Sequence, residues 1–242
     1  MQDKTMTFWD HVAELRSRLL VAAVALIAGM VACFFFVEPA AEYIMKPVGD
    51  MQFVYLSPPE LFMSYVRIAL FGGLITASPV ILFELWMFVH PGLSKRERVS
   101  LVFGLFFGAI FFTVGAGFSF FVIVPFSLRF FLQYQNDAIR AMFSFSEYVG
   151  FVGSMVLSFG AAFELPIVVS ILAGLGVVTG TGLAKARGIA VLLIFAAAAI
   201  ITPPDIVSQV MLGVPMVLLF ELSIVLAKGQ EKRRAKRLDL ED

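Results

Sequence analysis

A single carboxylate, Glu164, stands inside an otherwise uncharged stretch from Tyr148 to Gly174. An ionised carboxylate in hydrocarbon is costly unless it is protonated, paired or wetted. Two readings follow. It is a polar site on a concave, partly hydrated face, or a protonated side chain hydrogen-bonded to a neighbouring helix. Its depth in the stretch favours the first, because ionisable groups kept inside membranes are mostly functional. A second carboxylate, Glu14, precedes Arg18 by four residues and can pair with it on one helix face. Taken alone, this pair reads as the amphipathic start of a helix. A third, Glu97, lies in the run SerLysArgGluArg at 94–98 and in isolation reads as a solvated charge. Asp205 follows Pro203 and Pro204, where an Asp caps a helix, and Gln209 comes one turn later on the same side. Glu84, near the end of another apolar stretch, is expected to be wetted at the membrane surface.

Other chemistry finds few residues to use. Cys33 is the only cysteine, so no intrachain disulfide is possible, and it reads as a small hydrophobe. His11 and His90 lack partners at metal-ligand spacing, so neither a metal site nor a cofactor is expected. There is no phosphate-binding glycine loop, nucleophile elbow or HisGluXaaXaaHis motif. An enzymatic reading therefore has nothing to rest on.

The elements that hold these residues must be membrane helices. The 242-residue chain is 60% hydrophobic and only 15% charged, with a mean hydropathy of +0.93. Soluble proteins carry about 25% charged residues. A spanning helix needs about 20 apolar residues. The uncharged runs predict an all-α polytopic fold of six spans, near 19–37, 61–89, 99–130, 148–174, 188–202 and 206–227. A basic tail follows at 228–242. The fifth run reaches only roughly 22 Å at the usual helical rise. The last two helices are therefore expected to form a short hairpin. Pro79, Pro125, Pro166 and Pro215 predict bends, and so a curved, concave bundle. The whole chain reads as one membrane domain.

Orientation follows from the basic residues. Lys4, Arg16 and Arg18 fall on one side, together with the 95–98 loop, Lys185, Arg187 and the tail. Lys46, Arg129 and Arg140 fall on the other, with Arg67 near that end of the second span. Both termini are expected to face the cytoplasm, and six spans agree with termini on one side. The N-terminus is polar and of mixed charge, and Glu38-Pro39 follows the first apolar run, so no cleavable leader is expected.

Several segments together resemble the TatC family. They are HisValAlaGluLeuArgSerArgLeuLeu at 11–20, AlaSerProValIleLeuPheGluLeuTrpMetPheValHisProGlyLeu at 77–93 and SerLysArgGluArg at 94–98. PheGluLeuProIle at 163–167 and ThrProProAspIleValSerGln at 202–209 complete the set. The resemblance implies a receptor for twin-arginine signal peptides on folded cargo. Such a receptor nucleates an export complex with single-span partners of the TatA and TatB type, driven by the proton-motive force, in a bacterial or archaeal cytoplasmic membrane. It implies that Glu14 and Glu97 engage the paired arginines, with Arg16 and Phe88 on the recognition surface. Pro47 matches a functional proline of the first outer loop. Glu164 would lie on the concave face, and Asp205 with Gln209 at the outer end of the last hairpin. The resemblance also implies several copies in the complex, and no nucleic acid.

Arginine chemistry suits this reading, since a guanidinium is always charged and pairs bidentately with carboxylates. The alternative is a proton- or ion-coupled transporter of small solutes centred on Glu164. That class commonly shows repeat symmetry and paired broken helices, and neither is evident here.

Overall fold

A computed structural model describes residues 8–49, 52–89, 95–134, 142–201 and 206–238. Glycine and proline punctuate a nearly all-helical chain. Helix α1 (Phe8–Phe34) is followed by a short α2 (Val37–Met45), a 3-10 turn (Lys46–Val48) and the two-residue strand β1 (Phe53–Val54). The long α3 (Pro58–Val89) comes next. Helix α4 (Lys95–Phe118) runs through a π-helical turn (Ser119–Ile123) into α5 (Val124–Leu132). Strand β2 (Phe143–Ser144) leads into α6 (Phe145–Phe163), which is succeeded by α7 (Leu165–Leu175) and α8 (Gly180–Lys185). The described chain ends with α9 (Arg187–Ile201) and α10 (Ile206–Leu238).

Five stretches are long and apolar enough to cross a bilayer: His11–Phe34, Pro58–Leu85, Gly104–Leu132, Phe145–Leu175 and Ile206–Lys232. A sixth, Arg187–Ile200, is apolar but shorter. The chain is thus a multi-pass, all-α membrane protein. Its outer surface agrees, because α1 turns Leu19, Leu20, Val24, Ile27 and Val31 outward, where lipid replaces water as the solvent.

The last two helices are not equally short. Helix α9 is, but α10 has 33 residues. The basic segment after Ala227 continues the helix, because its Lys, Glu, Gln, Arg and Leu residues are good helix formers and no proline interrupts them.

The prolines act in two ways. Pro166 begins a new helix after a break at Glu164, and Pro125 follows the π-helical turn, in which Val124 N–H reaches Ser119 O. Pro79 and Pro215 lie within unbroken helices. At Pro79 the missing N–H would have bonded the carbonyl of Ile75. The hydroxyl of Ser78 donates to that carbonyl instead, at 2.7 Å, so no acceptor is stranded in lipid.

Helices in lipid gain little from hydrophobic burial against each other and depend on close packing. Helices α1 and α3 meet where glycine removes the side chain. A Cβ on Gly73 would lie 2.6 Å from the Met30 backbone nitrogen, and one on Gly29 would lie 3.0 Å from Gly73 O. Deeper in the bundle, Val124, Leu128, Val152, Met155, Phe159, Ala198 and Leu212 form the main core. On the side carrying α2, β1 pairs in parallel with β2 through Phe53–Phe143 and Val54–Ser144. Ser144 caps α6 by accepting from Glu147 N–H and donates to Glu60 on α3, tying both loops together.

Candidate functional site: the acidic rim of α1 and α3

From the glycine crossing, α1 and α3 run antiparallel for the same number of residues before two charged positions meet. These are Arg18 and Glu84. Arg18 Nη1 donates to Glu84 Oε2 at 3.1 Å, and Nη2 donates to Glu14 Oε1 at 3.2 Å. One guanidinium thus bridges two carboxylates on neighbouring helices. Glu14 and Arg18 share a face because they are one turn apart, and His11 continues that face. Opposite them, Glu84 and Phe88 are also one turn apart on α3. The His11 ring stacks on Phe88 with centroids 4.3 Å apart and planes 21° apart.

Burial makes this cluster unlike a solvated pair. Glu84 is 8% exposed. The expectation that it is wetted is therefore corrected: Arg18 reaches across and packs over it. The Glu14 side chain is 15% exposed, and its Oε2 is buried without a hydrogen bond from any described residue. The three charges sum to one net negative. An acceptor oxygen that is desolvated but unpaired is costly, and a charged donor would satisfy it.

Other expected site residues are distributed around the bundle. Arg16 is exposed. Two residues from Glu14, it projects from a different side of α1 than the Glu14–Arg18 face. Glu97 belongs to the first turn of α4, and its side chain lies outside the described residues. Asp205 also lies outside them. Pro47 sits, half-buried, in the 3-10 turn after α2. The end of α2 is held by Tyr148, whose hydroxyl donates to Ile44 O at 2.6 Å. Gln209 Nε2 donates to Phe195 O at 2.9 Å, binding α10 to α9. Glu164 occupies the α6–α7 break, half-buried, with Oε1 accepting no hydrogen bond from the described residues.

One helical turn beyond Glu84, at Val80, an open apolar cleft of about 820 Å³ begins. Small residues of α1 (Ala25, Ala28, Gly29 and Ala32) form one wall, and α3, α4 and α6 form the others. Tyr43 and Ile44 of α2 also line it. Glu164 is not among the lining residues. It lies further along α6 than Val156, the last cleft residue of that helix, and packs against α4 at Gly108.

Sequence reasoning missed Glu84 as a member of the rim. Its four-residue spacing from Phe88 was the available signal, but the partner helix could not be read from it.

The family model described as Sec-independent protein translocase protein (TatC) matches residues 10–215. The chain belongs to the TatC family. Among its TatC relatives, the Sec-independent protein translocase protein TatC of Desulforapulum autotrophicum is 37% identical over 238 residues, covering 96% of this chain and 88% of the relative. The TatC protein of Helicobacter pylori strain 26695 is 37% identical over 218 residues, covering 90% and 86%. The crystal structure of a twin-arginine translocase receptor TatC superposes with a TM-score of 0.83 at 34% identity, covering 91% of this chain and 99% of that one. The TatC resemblance seen in the sequence therefore holds over nearly the whole chain.

Proposed function

We propose that this chain is the receptor component of twin-arginine protein export. It binds twin-arginine signal peptides of folded cargo and nucleates the translocation complex, using the proton-motive force. The observation that carries the reading is the buried Oε2 of Glu14, which has no hydrogen-bond partner among the described residues, in a trio with Arg18 and Glu84 that carries one net negative charge. A guanidinium can supply the donors and the charge which that oxygen lacks. Glu97 is the second carboxylate for the paired arginines, with Phe88 beside the trio and Arg16 meeting the peptide from the other side of α1.

A hydrogen bond to a charged group nets only about 1.5–3 kcal/mol. Additional affinity comes from the signal's apolar stretch, which docks in the cleft opening one turn beyond Glu84. Single-span partners of the TatA and TatB type then join the bundle, with Glu164 and Gln209 contributing polar contacts. Pro47 and Asp205 shape the opposite side. Both termini face the cytoplasm, several copies assemble in the receptor complex, and the chain has no enzymatic activity. Membership of a protein translocase family gives no support to the solute-transporter alternative.

The test is photocrosslinking of a twin-arginine signal peptide to the purified protein, with a twin-lysine control. Crosslinks near Glu14 and Phe88 that vanish with the lysine peptide are expected. Equal crosslinking by both peptides counts against the reading.

A further inference from the structure

Recognition through Glu14 and Glu97 leaves Glu84, the more buried of the two described rim carboxylates, without a task. Glu84 is 8% exposed, yet it does not neutralise Arg18 on its own, because the same guanidinium also donates to Glu14. The consequence for Glu14 is specific. Among the described residues only its Oε1 is engaged, and the buried Oε2 has no hydrogen-bond partner there. If Glu84 were neutral, Arg18 and Glu14 would form a closed, charge-balanced pair. If Arg18 were neutral, two carboxylates would face an arriving cation with no internal competitor.

We propose that Glu84 determines the affinity of the guanidinium seat by drawing Arg18 partly away from Glu14, and that Arg18 is the seat's internal competitor for the signal peptide. This inference rests on the reading that Glu14 accepts an arginine of a twin-arginine peptide. A fork of donors can hold both carboxylates at once. Arg18 therefore fixes their spacing, while Glu84 keeps the net charge of the trio at minus one. A guanidinium from the peptide then completes the balance of two cations against two anions.

A purely structural staple between α1 and α3 makes the opposite prediction for one variant. If the trio only holds the helices together, then removing either partner weakens everything that depends on their packing. If Arg18 competes with the ligand, its removal strengthens binding.

The experiment measures the affinity of a labelled twin-arginine peptide for the full chain in nanodiscs, with thermal unfolding recorded for each variant. Glu84→Gln is expected to weaken binding about tenfold, because loss of an interfacial charge partner frees Arg18 to neutralise Glu14. Arg18→Gln is expected to tighten it, and the Arg18→Gln/Glu84→Gln double variant to return it to near the wild-type value. Lys232→Gln removes the same charge from α10 and is expected to leave affinity unchanged. Weaker binding in Arg18→Gln, or a double variant as weak as Glu84→Gln, overturns the inference. An equal gain in Lys232→Gln does so too, by reducing the effect to general surface charge. If Glu84→Gln does not assemble, the sign of the Arg18→Gln change decides alone. Glu14→Gln separates the two levels. Loss of binding there, with the wrong sign at Arg18, sinks only the inference. Full binding there sinks the reading beneath it as well.

Discussion

Gly108 of α4 lies directly against the Glu164 carboxylate, so that a Cβ at position 108 would stand 2.8 Å from Oε2 and 3.3 Å from Oε1. The absence of a side chain on one helix therefore makes room for the carboxylate of another. Gly108→Ala should push the carboxylate aside, and because that group ends a flexible side chain the cost should sit at the low end of overpacking, about 1 kcal/mol. Glu164→Ala should relieve the clash, so the double variant should be less destabilised than the sum of the singles. Thermal unfolding in detergent checks this, and additive losses would contradict the contact.

Glu164 itself is expected to matter for assembly. Glu164→Ala should reduce crosslinking to single-span partner helices and lower transport, whereas Glu164→Gln, which keeps hydrogen-bonding capacity, should retain more of both. Site-specific crosslinking in membranes gives the measurement. Full transport by Glu164→Ala would remove this residue from the mechanism.

Reversing the charge at Glu97 should abolish twin-arginine peptide binding while leaving membrane insertion intact. Glu14→Ala and Glu97→Ala should each weaken it, and the double variant further. Peptide-binding isotherms on membranes with matched protein levels decide the matter. Unchanged binding in all three alanine variants would discard arginine docking at these carboxylates.

The α9–α10 hairpin offers a comparison between two polar links. Gln209 binds Phe195 O from a half-buried position, whereas Arg187 grips Glu221 through two contacts of 2.7 Å at exposed side chains. Gln209→Leu is expected to cost about 0.6–1.7 kcal/mol, in the range of interhelical hydrogen bonds in membranes. Arg187→Ala should cost less than about 1 kcal/mol and lose even that in high salt, as an exposed pair does. Unfolding measured at two ionic strengths distinguishes them.

The helices were legible from the sequence because hydrocarbon thickness imposes a length on apolar runs, and the runs ending near Val37 and Val89 follow that rule. Lys228 to Leu238 was harder. Its charge suggested a tail, but charge does not stop a helix whose residues, Gly229 apart, are good helix formers. Pro166 and Pro79 look alike in sequence. The structure separates them: the helix continues past Pro79, where the hydroxyl of Ser78 serves Ile75 O, and breaks at Glu164 before Pro166. At the site, Glu14 could be paired with Arg18 from their spacing along α1. The Arg18–Glu84 contact could not, because it depends on two glycines that allow distant parts of the chain to approach.

That unbroken course past Pro79 has a mechanical result. Between Gly73 and Glu84 the distance is counted in peptide units along a single continuous α-helix, and Gly29 to Arg18 is counted likewise on α1. The pair behaves as a ruler with its zero mark inside the protein and not at the lipid headgroups. The depth of the surrounding bilayer can change without altering how far the acidic groups stand from the point where the helices touch.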